Sequence, residues 1–117
     1  MVHVDVTGKT TFTFRHTGDD KVFVVGDFSG WHLDHFPMRR VSEHEWVLMM
    51  RLPPGTYEFR YYAGGQWFTD YASFGVVLNR FGDWNSVLRV PKVRPALAPA
   101  ARVRMRQVRT GQLVASA

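Results

Sequence analysis

Cysteine is missing from all 117 residues, which excludes a disulfide framework and any thiolate metal site and fits a reducing compartment. Long apolar runs are missing too, since no stretch approaches the roughly 20 residues that span a bilayer. The opening Met1-Val-His-Val-Asp5 offers neither a basic nor an apolar signal region, so a soluble, cytoplasmic chain is expected. Charge is sparse at 21% Asp, Glu, Lys and Arg, against 45% hydrophobic and 15% aromatic residues. Such a chain can fill one core, and its length leaves room for one domain.

The charge that is present is unevenly spread. Residues 1–90 carry nine Lys/Arg and all ten Asp/Glu, a balance of −1, whereas residues 91–117 carry six Lys/Arg and no acid. A nucleic-acid-binding domain keeps its basic patch on the folded body, so a nearly neutral body argues against that class. Pro91, Pro95 and Pro99 recur among alanines, which reads as a linker. The chain therefore divides into a folded domain over 1–90 and a Pro/Ala linker with a basic tail over 91–117. In the tail, Arg102, Arg106 and Arg109 share a face if it is helical, and Arg102, Arg104 and Arg106 share one if it is extended. Periodicity does not choose between the two. The segment is either a solvated extension or a docking arm for an acidic protein, a membrane surface or a second copy of the domain.

Helical periodicity is absent from the body, and short alternating segments take its place. Val2, Val4 and Val6 alternate with polar residues, as do Phe12 and Phe14, and Val22 to Val25 is apolar on both faces, as in a central sandwich strand. The clearest unit is a hairpin, with Trp46, Leu48, Met50 and Leu52 alternating before Pro53-Pro54-Gly55 and Tyr57, Phe59 and Tyr61 after it. Arg60 and Tyr62 then point away from the Phe59 face. Gly64-Gly65 turns the chain into Gln66-Trp67-Phe68-Thr69, residues 70 to 84 read as a long surface loop, and Ser86 to Val90 reads as the last strand. About seven short strands without helices imply an all-β, two-sheet antiparallel sandwich.

Catalytic patterns fail one by one. The acids fall mostly in turns, and nothing in their spacing pairs two of them as glycoside hydrolysis requires. Gly26-Asp-Phe-Ser-Gly30 imitates a nucleophile elbow, but its serine is displaced from the elbow position and no helix follows. His32 and His35 lack the further ligands that zinc demands, so no metal or other cofactor is expected. A binding role is left.

Four tryptophans stand out. Trp46 lies on the inward face of an alternating strand, as a core residue would. Trp31, Trp67 and Trp84 lie at strand ends or in loops, beside Gly30, Gly65 and Gly82. Such rings either close the ends of the sandwich or offer flat faces on which the C–H face of a pyranose stacks. In the second case Arg60, Gln66 and Asn85 are donors and amides suited to hydroxyls.

The order Val22-Phe-Val-Val-Gly-Asp-Phe-Ser-Gly-Trp31, Trp46, Leu52-Pro-Pro-Gly-Thr-Tyr-Glu-Phe-Arg60, Trp67 and Asn79-Arg-Phe-Gly-Asp-Trp-Asn-Ser-Val-Leu-Arg-Val90 resembles one family. It is similar to the isoamylase N-terminal (early-set) domain, the family 48 carbohydrate-binding modules, which include the glycogen-binding domain of AMP-activated protein kinase β subunits. The resemblance implies an immunoglobulin-like, early-set β-sandwich that binds α-1,4-linked glucans without transforming them. It implies stacking on Trp31 and Trp67, a basic contact from Arg60, a hydroxyl contact from Asn85 and an apolar wedge at Phe81. Trp84 stands where the family carries a smaller residue, and would extend the platform or block it. A protein-interaction or regulatory domain on the same fold is the alternative, because fold does not fix function.

Overall fold

The computed structural model describes residues 1–92. The linker and basic tail therefore lie, from residue 93 onward, outside the described residues. The regular structure of the described residues is almost all strand: β1 (Val2–Val4), β2 (Lys9–Arg15), β3 (Val22–Gly26), β4 (Arg39–Arg40), β5 (Glu45–Arg51), β6 (Gly55–Ala63), β7 (Gln66–Phe68), β8 (Val76–Leu78) and β9 (Trp84–Val90). A single 3₁₀ turn, Asp27–Ser29, follows β3. Two antiparallel sheets form, β1-β2-β5-β4 and β3-β6-β9-β8, with β7 added to β6.

The alternation of side chains along each strand determines how the sheets meet. Phe12 and Trp46 from the first sheet, Leu52 just beyond β5, and Val22, Val24, Phe59, Tyr61, Leu88 and Val90 from the second sheet belong to one buried cluster. Aromatic pairs cross between the sheets: Phe12 meets Phe59 edge-on at 5.2 Å, and Phe14 stacks on Tyr61 at 4.5 Å. Burying rings as large as Phe12 and Phe59 contributes roughly 1.5–3 kcal/mol each. Tyr61 reaches past this cluster and donates its hydroxyl to Asp70 Oδ2 at 2.8 Å. Burial, reinforced by the Asp70 carboxylate, pushes that phenol well above its usual range and keeps it a neutral donor.

Four expectations are corrected. The segments Trp46–Leu52 and Tyr57–Tyr61 do not form a hairpin: β5 pairs with β2 and β4, and β6 with β3, β7 and β9, so Pro53-Pro54-Gly55 carries the chain from one sheet to the other. The described residues form nine strands where about seven were expected, because two- and three-residue strands such as β4 and β8 are too short to show a period. The expected long loop over 70 to 84 contains β8, whose Val76–Leu78 pairs with β9. The strand with apolar residues on both faces, β3, is an edge strand and not a central one. Its exposed edge is covered by the segment around Phe36 and Met38, where Val24 N–H donates to Phe36 C=O at 3.0 Å and Met38 N–H to Val22 C=O at 2.8 Å. Covering the edge hides its unpaired backbone groups from other chains.

β6 organises the second sheet. Its first half, Gly55–Phe59, pairs with β9 on one side, and its second half, Phe59–Ala63, pairs with β3 on the other. Residues Tyr61–Ala63 also pair with β7. Hence β7 and β9 lie along the same side of β6, one after the other. Thr69 Oγ1 ties the two by donating to Trp84 C=O at 2.6 Å.

Candidate functional site

Arg60 sits where the neighbour of β6 changes from β9 to β7. Phe59 is the last β6 residue paired with β9, and Tyr61 the first paired with β7. Alternation turns Glu58, Arg60 and Tyr62 to the outer face of the sheet, opposite the buried Phe59 and Tyr61. On that face the register brings Trp67 beside Tyr62, and Asn85 comes from the neighbouring strand. Two irregular segments rise beside this floor: the 26–31 turn carrying Trp31, and the 79–83 turn carrying Arg80, Phe81 and Asp83. Together they enclose a concavity of about 600 Å³, lined by Trp31, Arg60, Trp67, Phe81 and Asn85 among others. That volume lies within the range of small-ligand sites.

The 26–31 turn is built by its own sequence. Gly26 passes so close to β6 that a Cβ there would stand 2.5 Å from Glu58 C=O and 2.8 Å from Phe59 Cβ, so no side chain is tolerated. The Ser29 hydroxyl accepts from Gly26 N–H at 3.2 Å and donates to Gly26 C=O at 3.0 Å. It closes the turn, a structural role that accounts for its burial. Gly30 has φ 60° and Trp31 φ 62°. Glycine adopts that left-handed region freely, whereas tryptophan does so at a cost of roughly 1–2 kcal/mol. The turn offsets the cost with Trp31 N–H donating to Gly26 C=O at 2.9 Å and indole Nε1–H donating to Asp27 Oδ1 at 3.0 Å.

The aromatic surface is continuous. Trp31 and Trp67 have centroids 6.4 Å apart with planes at 53°, and Tyr62 backs Trp67 at 4.9 Å. Trp67 is 38% exposed and Phe81 76%, so both present apolar area to solvent. The Arg60 guanidinium lies 5.4 Å from the Trp67 centroid, within cation–π range. Its Nη1 is 3.9 Å from Asp83 Oδ2, at the outer limit of an ion pair.

Asn85 is only 6% exposed and forms part of the floor. Its Oδ1 accepts from Asn79 Nδ2 at 3.1 Å and its Nδ2 donates to Glu58 Oε1 at 3.0 Å. One N–H and one lone pair of the amide are left over for a ligand. Asn79 Oδ1 accepts from Phe81 N–H at 2.9 Å and Asp83 N–H at 3.1 Å, which shapes the wall that carries Phe81.

Trp84 is not brought to this concavity. β9 begins at Trp84, earlier than the alternation of Ser86 to Val90 suggests. Trp84 therefore shares the parity of Ser86, Leu88 and Val90, which face the core, while Asn85 shares that of the outer face. Being at the strand end it stays 44% exposed, opposite Leu78. Gln66 also lies apart from the lining residues.

Sequence reasoning missed Asp27, Glu58, Asn79, Arg80 and Asp83, all of which line the site. Glu58 was within reach, two residues before Arg60 on an alternating strand. Asn79 was signalled less clearly, by the turn chemistry of Asn79-Arg-Phe-Gly82. Three carboxylates thus converge where their spacing gave no sign of pairing. Asp27 uses both oxygens, accepting from Trp31 Nε1–H and from Glu58 N–H at 2.8 Å. His32 and His35 stack on each other at 4.6 Å, and among the described residues no group of three or more potential ligands could hold a metal.

Comparison with known proteins adds a family. The model of the glycogen recognition site of AMP-activated protein kinase matches residues 8–95. Among curated relatives, 5'-AMP-activated protein kinase subunit beta-1 of Rattus norvegicus is 32% identical over 80 residues, 68% of this chain and 28% of the relative. The Bos taurus subunit is 35% identical over the same shares. The Sus scrofa sequence is 34% identical, covering 68% of this chain and 62% of the relative. The chain thus matches little more than a quarter of the first relatives' length.

Proposed function

This chain belongs to the family of the AMP-activated protein kinase glycogen recognition site, and on that premise we propose that it is a non-catalytic module binding α-1,4-linked glucans of the glycogen and starch type. The observation that carries the reading is the convergence of Trp31, Trp67, Arg60, Phe81 and Asn85 on one concavity. Trp31 and Trp67 stack on successive glucose rings. Their planes differ by 53°, so together they suit a chain that curves, as α-1,4 glucans do, better than a flat ribbon. Phe81 wedges against the apolar edge of the chain. Arg60 donates to hydroxyls from above Trp67, and Asn85 uses the half of its amide that its neighbours leave free.

No nucleophile or general acid is assigned. Asp27 and Glu58 are engaged in holding the site, and Ser29 in closing its turn. We place the module over residues 1–90, with 91–117 as a separate linker and basic arm, and the protein in the cytoplasm, where a chain without cysteine is at no disadvantage. Among the described residues no helix is long and apolar enough to cross a membrane.

The test is a titration of the full chain with maltoheptaose and with a β-1,4 glucan of equal length. Saturable binding of the first alone is expected. Binding of neither would favour an interaction domain on the same fold.

A further inference from the structure

Trp31 combines two unusual features. It is the only non-glycine residue with positive φ among the described residues, and it supplies one ring of the site from an irregular turn rather than from a strand. A ring on such a turn has no sheet register to fix its direction. Something else must do so.

Asp27 is placed for that task. Its carboxylate faces two donors on different parts of the fold: Oδ1 accepts the Trp31 indole Nε1–H at 3.0 Å, and Oδ2 accepts the Glu58 backbone N–H at 2.8 Å. The second bond fixes the carboxylate to β6, the strand that also carries Arg60. Glu58 in turn accepts from Asn85 with Oε1, and Asn85 accepts from Asn79, which shapes the opposite wall. One chain of hydrogen bonds thus runs from Trp31 beneath the concavity to Phe81.

We infer that Asp27 is a positioning residue, whose carboxylate sets the direction of the Trp31 ring by clamping its indole N–H to strand β6. The inference rests on the reading of Trp31 as a stacking ring. A carboxylate is required because both donors need an acceptor at once. The Asp27→Asn amide keeps one oxygen and offers a second donor, so one of the two N–H groups must lose its partner. Asp27 is exposed, and water competes for these bonds, so the effect is moderate.

The test uses the full ¹⁵N-labelled chain. The Trp31 indole resonance is assigned by its loss in Trp31→Phe, a variant that keeps a ring and removes the N–H. In Asp27→Asn the Trp31 indole proton should exchange about fivefold faster, and maltoheptaose affinity should fall about fivefold, as expected for one charge-assisted bond in partial competition with water. In the Trp31→Phe background the same Asp27→Asn change should alter affinity less than about twofold, because the bond it removes is already gone. An unchanged indole exchange rate, or an equal affinity loss in both backgrounds, overturns the proposal. Should Asp27→Asn fail to fold, Asp27→Glu moves the same two oxygens by one methylene and is judged by the same exchange rate. A wild-type chain that ignores maltoheptaose overturns the function proposed above, while the exchange rate still decides the role of Asp27.

Discussion

Trp67 is the residue on which most of the site's geometry converges, with Tyr62 at 4.9 Å, the Arg60 guanidinium at 5.4 Å and Trp31 at 6.4 Å. Removing an anchoring aromatic of this kind costs more than about 1 kcal/mol of binding. Trp67→Ala should therefore weaken maltoheptaose binding at least about fivefold in a calorimetric titration. Trp84→Ala is the matched control, since that ring has similar exposure but the parity of the opposite face. Its titration should be indistinguishable from wild type, and a loss equal to that of Trp67→Ala would contradict the site's boundaries. The burial of Trp46 was legible from the alternation of its own strand, while the meeting of Trp31 and Trp67 was expected only from the family resemblance. The place of Trp84 was not legible, because it read as a loop residue before a strand starting at Ser86, whereas β9 begins at Trp84 itself and gives it the parity of Ser86. Asp27 gave no signal at all: it acts through two hydrogen bonds to residues whose proximity only the folded chain creates.

At the scale of elements, the inward faces of β2, β5 and β6 were readable because alternation sustained over seven or more residues is the mark of a half-buried strand. That β5 and β6 enter different sheets rather than pair as a hairpin was not readable, because alternation marks a strand but not its partner. β4, β7 and β8, of two or three residues, carry no period. They owe their existence to a neighbouring strand that supplies partners. The edge position of β3 was hidden for a different reason: Val22 to Val25 is apolar on both faces, and the segment around Phe36 and Met38 bonds to its free edge as a further strand would. The 26–31 turn depends on close backbone approach, and this gives a second expected outcome. Gly26→Ala would force a Cβ to within 2.5 Å of Glu58 C=O, so either β6 or the turn must move. Overpacking of this kind costs typically 1–3 kcal/mol. Thermal unfolding should show a clear drop in midpoint, accompanied by loss of maltoheptaose binding as Trp31 is displaced. A variant with unchanged stability would mean that the turn is not held as described.

For the molecule as a whole, the uneven charge of the sequence, nearly neutral over 1–90 and six Lys/Arg without an acid over 91–117, makes two kinds of association distinguishable. Stacking and neutral hydroxyl contacts release no counterions, so glucan binding should hardly change between low and high salt. Association through six positive charges without an acid should fall steeply over the same range. A chain truncated after Val90 keeps every strand and every lining residue found among the described residues. Circular dichroism and titration should show its fold and glucan binding intact, with any salt-sensitive association lost. Unfolding on truncation would instead assign residues 91–117 to the sandwich. The central claim is that Trp31 and Trp67 form one glucan-binding platform, and native electrophoresis through a gel containing glycogen tests it most directly. The wild-type chain should be retarded and the Trp31→Ala, Trp67→Ala double variant should run as it does without glycogen. Equal retardation of the two would contradict the account.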